Sequence, residues 1–247
     1  MKILKDIAYN SYDQKLDVYL PEGDVKAVFV FFHGGGIETG DKKVPDFFAE
    51  HFTDRDIALI SANYRMYPDA KYPEFLEDSA DAAAWAYKNS SVLGGCKKIF
   101  LGGSSAGGYI SMMLCFDGKY LMRNGISPTD ICGYVHNAGQ PTKHFNVLKY
   151  SGVDSRRVII DDTAPLYHIG LAEKYSPMLF LVSDNDMVNR YEQTMLTIST
   201  LKHFGHTQPD VELKVLQGTH CSHDFKRDEN GESVFGKLIT DFIKKHI

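Results

Sequence analysis

Two adjacent serines, Ser104 and Ser105, lie inside FLGGSSAGGYI (residues 100–110), a stretch dominated by the smallest side chains. A serine hydroxyl becomes a useful nucleophile when a histidine accepts its proton and an acid orients that histidine. The hydroxyl must also be held clear of the backbone. A strand turning abruptly into a helix does this by fixing one serine in a strained conformation. Residues two before and two after that serine meet across the turn, so both must be tiny. The stretch fits G-x-S-x-G once, through Gly103, Ser105 and Gly107. Starting at Gly102 instead puts Ala106 where the last glycine belongs. Ser105 is therefore the presented residue, and the N–H of Ala106 falls at a helix N-terminus.

A second run, FFHGGGIETGDK (31–42), places His33-Gly34-Gly35-Gly36 after an apolar segment. Consecutive glycines let backbone N–H groups point into a site with no side chains in the way. Together with the N–H of Ala106 they would surround the oxyanion of a tetrahedral intermediate. Taken singly, the first motif also fits a phosphate loop and the second a plain flexible turn. Two such motifs in this order, each after a strand, are much harder to obtain by accident.

The elements that would position these residues alternate in kind. KLDVYLP (15–21) has the period-two pattern of a strand with one wet face. Residues 27–34, 57–65, 98–104, 132–138, 177–184 and 211–218 are short apolar runs, several apolar on both faces as in a buried parallel sheet. Helical spacing appears over 73–89, with Phe75, Leu76, Ala80, Ala83, Ala84 and Tyr87 on one face, and again over 106–117, 190–204 and 232–246. Strands alternating with helices imply right-handed crossovers and a mostly parallel sheet covered on both faces, an α/β fold. Residues 141–176 break the rhythm. They are expected as an irregular or helical excursion, a lid or insertion beside the sheet's carboxyl edge, within one domain spanning 1–247.

Bulk properties exclude several classes. A net charge of −5 and a pI near 6.0 offer no basic footprint for nucleic acid or an anionic membrane. The first residues alternate charged and apolar types, unlike a signal peptide or membrane span, so a cytoplasmic home is expected. Cys96, Cys115, Cys132 and Cys221 form no C-x-x-C pair and read as reduced thiols. His220, His223 and Asp224 would be a metal set only with a further cluster that the sequence lacks. No metal and no cofactor is expected.

With these blocks in view, the sequence resembles the α/β-hydrolases, most closely the hormone-sensitive-lipase-type esterases and the small bacterial acetyl and feruloyl esterases. HGGGIETGDK (33–42), ANYRMYPDAKYPEFLEDSADAAAW (62–85) and GGSSAGG (102–108) carry the likeness. In the middle block Tyr64, Arg65, Pro68, Pro73 and Asp78 match the family's Y-R-L-A-P-E…P-x-x-x-x-D run. Two features depart from it. Thirty-two residues precede His33, too few for the N-terminal cap helices of larger members, and Ile37 stands where an aromatic residue is common. A reduced or absent cap is expected. The resemblance implies an oxyanion hole from Gly35, Gly36 and Ala106.

In this fold the acid follows the nucleophile in the chain, and the histidine comes last. Asp184 and Asp186 compete in LVSDNDMVNR; the family's G-x-x-D-x-x-V pattern, with Ser183 in the glycine place, favours Asp186, with Asp184 still open. In LQGTHCSHDF, His220 lies two residues past Gly218 and resembles the small esterases, whereas His223-Asp224-Phe225 resembles the lipase-type ending. His220 is the expected base, with His223 still open. The resulting expectation is a Ser105–His220–Asp186 hydrolase of short-chain carboxylic esters, acetylated carbohydrates among them. Its expected partner is a small-molecule ester. An amidase, arylformamidase-like or peptidase activity shares the same motifs. A homodimer is compatible with the sequence, which does not fix the oligomeric state.

Overall fold

Alternate residues of one strand divide the core between two faces of a sheet. In β3 (Ala27–Phe32), Val28, Val30 and Phe32 join one apolar cluster, while Ala27, Phe29 and Phe31 join another. The computed structural model describes the backbone of residues 1–247 and every side chain except those of Val44 and Asp46.

Around β3 the strands are β1 (Lys2–Ala8), β2 (Lys15–Leu20), β4 (Ile57–Ala62), β5 (Ile99–Ser104), β6 (Gly133–Asn137), β7 (Met178–Asn185) and β8 (Val211–Thr219). They form one sheet in the order β1-β2-β4-β3-β5-β6-β7-β8. Only β2 runs against its neighbours; the pairs from β4 to β8 are all parallel. The helices are α1 (Ala49–Thr53), α2 (Glu74–Lys88), α3 (Ala106–Phe116), α4 (Lys119–Met122), α5 (Phe145–Tyr150), α6 (Arg190–His203) and α7 (Val234–Lys245). Apolar residues of α2, α3 and α6 cover one face, and those of α1 and α7 cover the other. This is the α/β-hydrolase architecture.

Three readings need correction. β1 was not expected as a strand: it is an exposed edge whose alternation carries almost no buried side chain. β2 has no wet face: Leu16 and Val18 join one apolar cluster, Tyr19 joins the other, and Asp17 is buried with its Oδ1 accepting a 2.7 Å bond from Lys42 Nζ. Tyr87 lies outside the buried face of α2 and is exposed.

The order reverses between β3 and β5, whose carboxyl ends lie side by side with Phe32 paired to Gly103. Parallel α/β sheets bind ligands at such a switch point. The glycine run follows β3 and the serine turn follows β5, so topology alone brings the two motifs together. Residues 138–177, between β6 and β7, are largely irregular and contain only α5 and the 3-10 turn Pro165–His168. Among the described residues, no helix is long and apolar enough to cross a membrane.

Candidate active site at the carboxyl end of the sheet

Ser105 occupies the turn between β5 and α3 with φ 56° and ψ −110°, a conformation that L residues rarely adopt. Neighbouring backbone forces it. A Cβ built on Gly103 would lie 2.4 Å from the Phe32 carbonyl oxygen and 2.6 Å from Gly107 C; one on Gly107 would lie 1.9 Å from the same oxygen. The strand end and the helix start can approach this closely only with glycine at both positions. The Ser105 N–H donates to the Asn137 carbonyl at 2.8 Å, fixing the turn to β6.

The hydroxyl of Ser105 lies 2.8 Å from His220 Nε2, and His220 Nδ1 lies 2.5 Å from Asp186 Oδ1. A carboxylate can only accept, so the Nδ1 proton goes to Asp186 and leaves Nε2 free to accept from Ser105. The Asp186 side chain is fully buried at 0% exposure and also accepts from the N–H groups of Met187 (2.8 Å) and Ser183 (3.2 Å). Burial pushes its pKa up, but the His220 hydrogen bond and charge, with those two backbone donors, hold it below the usual carboxylate value.

The competing residues go elsewhere. Asp184 is exposed and accepts the Gly218 N–H at 2.9 Å, bracing the end of β8 that leads to His220. His223 is buried, and its Nε2 donates to Asn137 Oδ1 at 2.8 Å. Desolvation lowers its pKa to about 4, which leaves a neutral ring. Ser104 Oγ accepts from Asn137 Nδ2 at 2.9 Å.

The glycine run lies against Ser105: a Cβ on Gly34 would stand 3.3 Å from Ser105 Cβ. Gly35 and Gly36 take φ of +106° and +67°, so this loop conformation favours glycine at both. His33 itself is buried, donates from Nδ1 to the Gly34 carbonyl at 2.7 Å and stacks on Tyr64 at 4.4 Å. The Tyr64 hydroxyl donates to the His33 carbonyl at 2.7 Å. Next to it Arg65 grips Asp78 with two side-chain bonds of 2.8 and 2.9 Å. Tyr64 therefore supports the start of the loop, and the Arg65–Asp78 fork holds the segment next to it. Ala106 is the first residue of α3 and is buried.

Sequence reasoning missed two supports. From α5, Asn146 Nδ2 donates to the Gly36 carbonyl at 2.6 Å and to Glu38 Oε2 at 3.0 Å, while Lys149 and Tyr150 reach Glu38 Oε1 at 2.6 and 2.9 Å. One turn of the irregular segment thus clamps the glycine loop. Beneath the serines, Asn137 Nδ2 donates to Asp224 Oδ1 at 2.8 Å, and burial raises the Asp224 carboxyl to about 6. No sequence motif marks either network. Cys221 follows His220 with its Sγ 3.8 Å from Nε2, and burial raises its thiol well above the ordinary value. That is a packed thiol and not an activated one.

A cavity of about 410 Å³ opens at this point, lined by Gly34, Gly35, Gly36, Ser105, His220 and Phe225 among others. Among the described residues, no three His, Cys, Asp or Glu side chains cluster closely enough to hold a metal ion. The arrangement can pass a proton from a serine to an imidazole backed by a carboxylate, beside backbone amides at a helix start.

Known proteins agree with this architecture. Esterase 2 of Thermogutta terrifontis, in a structure phosphorylated by paraoxon, superposes with TM-score 0.77 at 21% identity, over 99% of this chain and 93% of that one. A hyperthermophilic esterase from Pyrobaculum calidifontis gives TM-score 0.75 at 20% identity, over 99% and 85%. In sequence, the carboxylesterase NlhH of Mycobacterium tuberculosis is 35% identical over 106 residues, 41% of this chain and 33% of its own length. The chain thus spans a third or less of the length of the first curated relatives it matches. A family model matches far more of it: over residues 16–201, the chain belongs to the BD-FAE family.

Proposed function

We propose that this chain is a serine carboxylesterase. Ser105 attacks the ester carbonyl as its proton passes to His220 Nε2, and Asp186 holds the imidazolium that forms. N–H groups of Gly35, Gly36 and Ala106 receive the oxyanion. Collapse of the tetrahedral intermediate breaks the ester C–O bond, His220 returns the proton to the departing alcohol, and an acyl-Ser105 remains. Water then repeats the sequence, releasing the acid and restoring the hydroxyl. No cofactor enters.

The observation that carries this reading is the unbroken Ser105–His220–Asp186 relay of 2.8 and 2.5 Å beside the glycine loop. A strained serine and a buried, anionic aspartate are costly unless the relay is used. A short acyl group suits the cavity of about 410 Å³. The likeness to an esterase crystallised with propionate and with butyrate bound points the same way. Acetyl groups on carbohydrates fall within that range. The test is a series of p-nitrophenyl esters with acyl chains of increasing length, with formanilide as the amide arm. The parent hydrolyses acetate to butyrate esters fastest and the anilide far more slowly, and Ser105→Ala abolishes turnover. Equal rates for parent and Ser105→Ala would end the proposal.

A further inference from the structure

Beside the serine cavity lies a larger one of about 680 Å³, between the start of α6 and residues 155–158. Met187, one residue past the acid, lines both cavities. Phe145, which lines the larger one, packs on the other side against Gly36: a Cβ there would lie 3.3 Å from its ring. The two spaces are therefore adjacent, with Met187 in the wall of both.

The charge of the larger cavity has one sign. Arg156, Arg157 and Arg190 line it, and no aspartate or glutamate does, in a chain whose net charge is −5. Arg156 is already neutralised, gripping Asp154 with bonds of 3.0, 3.1 and 2.5 Å. Arg190 is 4% exposed and donates to the Ala138 carbonyl and, at 3.4 Å, to Gln140 Oε1, both neutral acceptors. Among the described residues, neither Arg157 nor Arg190 is ion-paired to a carboxylate; Arg157 is exposed at the mouth and acts on Asp154 only at a distance. The buried Arg190 feels the Asp186 carboxylate only at a distance, and with the exposed Arg157 in the same wall the lining of this concave space carries net positive charge. The rest of the wall is apolar. Phe145, Val158, Met187 and Val188 contribute to it, Val158 and Val188 being 55% and 90% exposed. Exposed apolar side chains gathered around a cavity mark a surface that a ligand covers.

We propose that this cavity is a specificity subsite for a carboxylate carried on an apolar, aryl-sized frame, with Arg157 as its principal charged partner. Resting on the esterase reading of Ser105, it makes the preferred substrate an acidic ester. One half of that ester occupies the serine cavity, and the other lays its carboxylate among the arginines. Arginine suits this role because its planar fork matches a carboxylate bidentately.

Binding and turnover test it separately. Calorimetric titration of the parent with phenylacetate and its neutral isostere phenylacetamide reads the subsite without any reaction. Phenylacetate binds about tenfold more tightly, as expected of a charge-assisted pair. Arg157→Gln brings the two ligands within about twofold, and Arg157→Lys keeps only part of the preference, because the ammonium retains the charge but loses the fork. Equal binding of the pair to the parent, or an unchanged preference in Arg157→Gln, overturns the proposal. Turnover then identifies the half that carries the charge. 4-Acetoxybenzoate bears it on the alcohol side and p-nitrophenyl hemisuccinate on the acyl side, each compared with its uncharged counterpart. One of them shows a preference that Arg157→Gln removes; a preference on neither also overturns the subsite. Failure of Ser105→Ala to reduce hydrolysis would instead sink the esterase reading and leave the calorimetric result standing.

Discussion

Gly107→Ala perturbs the site without touching a reacting group. The new Cβ would lie 1.9 Å from the Phe32 carbonyl oxygen, 2.6 Å from its carbon and 2.9 Å from the His33 carbonyl oxygen. All three atoms are backbone, so no side chain can swing away. Ordinary contact begins near 3.4 Å, so α3 and the end of β3 must part by more than an ångström. Overpacking of a buried site costs about 1–3 kcal/mol of stability. The greater effect falls on chemistry, because the displaced helix start carries Ser105 and the Ala106 N–H away from the glycine loop. A misplacement of about 1 Å costs on the order of 100-fold in rate. Steady-state hydrolysis of p-nitrophenyl acetate by folded Gly107→Ala should therefore fall about 100-fold. Gly23→Ala, whose Cβ meets nothing closer than 3.7 Å, serves as the control and stays at the parental rate. A folded Gly107→Ala enzyme within threefold of the parent would refute the idea that this contact sets the geometry of the nucleophile.

Other outcomes follow from the same geometry. Asp186→Asn lowers kcat by roughly three to four orders of magnitude, through loss of the charge and the wrong imidazole tautomer. Asp184→Asn stays within about tenfold, since it touches only the Gly218 N–H; equal losses would mean the acid was misassigned. Asp224 has a folded pKa raised to about 6 from 3.8, so its stabilising effect is complete below the unfolded pKa and is lost as pH rises through 6. Between pH 4 and pH 7 the parent should lose about 2 kcal/mol relative to Asp224→Asn, read as urea midpoints at constant m. Parallel curves for the two proteins would show that Asp224 is not buried as an acid. Arg65→Lys, which gives up the fork on Asp78, lowers the melting temperature by several degrees while KM moves little; an unchanged melting temperature would show that the fork supports nothing.

Much of this molecule was legible where local sterics dictate residue type. The Gly103-x-Ser105-x-Gly107 turn and the glycine run could be recognised because a Cβ on Gly103, Gly107 or Gly35 would lie 1.9 to 2.4 Å from a backbone oxygen. The buried parallel strands could be recognised by apolar runs. What could not be read depends on contacts between distant residues. Asp184 and Asp186 are two residues apart and share one strand face by alternation, so periodicity cannot separate them. The register shift between Ser183 and Asn185, with the hydrogen bond to His220, distinguishes them in space. Spacing from Gly218 favours His220, but His223 is set aside only when Asn137, more than eighty residues earlier, engages it. The α5 clamp reaches Glu38 across more than one hundred residues without any periodic signal. β1 escaped notice because an exposed edge strand has nothing to bury.

Activation of the Ser105 hydroxyl by His220 is the central step of the proposed reaction. Treating the protein with a fluorophosphonate and mapping the modified peptide by mass spectrometry addresses that directly. One adduct on Ser105, none on Ser104, with the labelling rate collapsing in His220→Gln but not in His223→Gln, is the predicted result. Labelling at Ser104, or a Ser105 adduct forming at the same rate in His220→Gln, would contradict it.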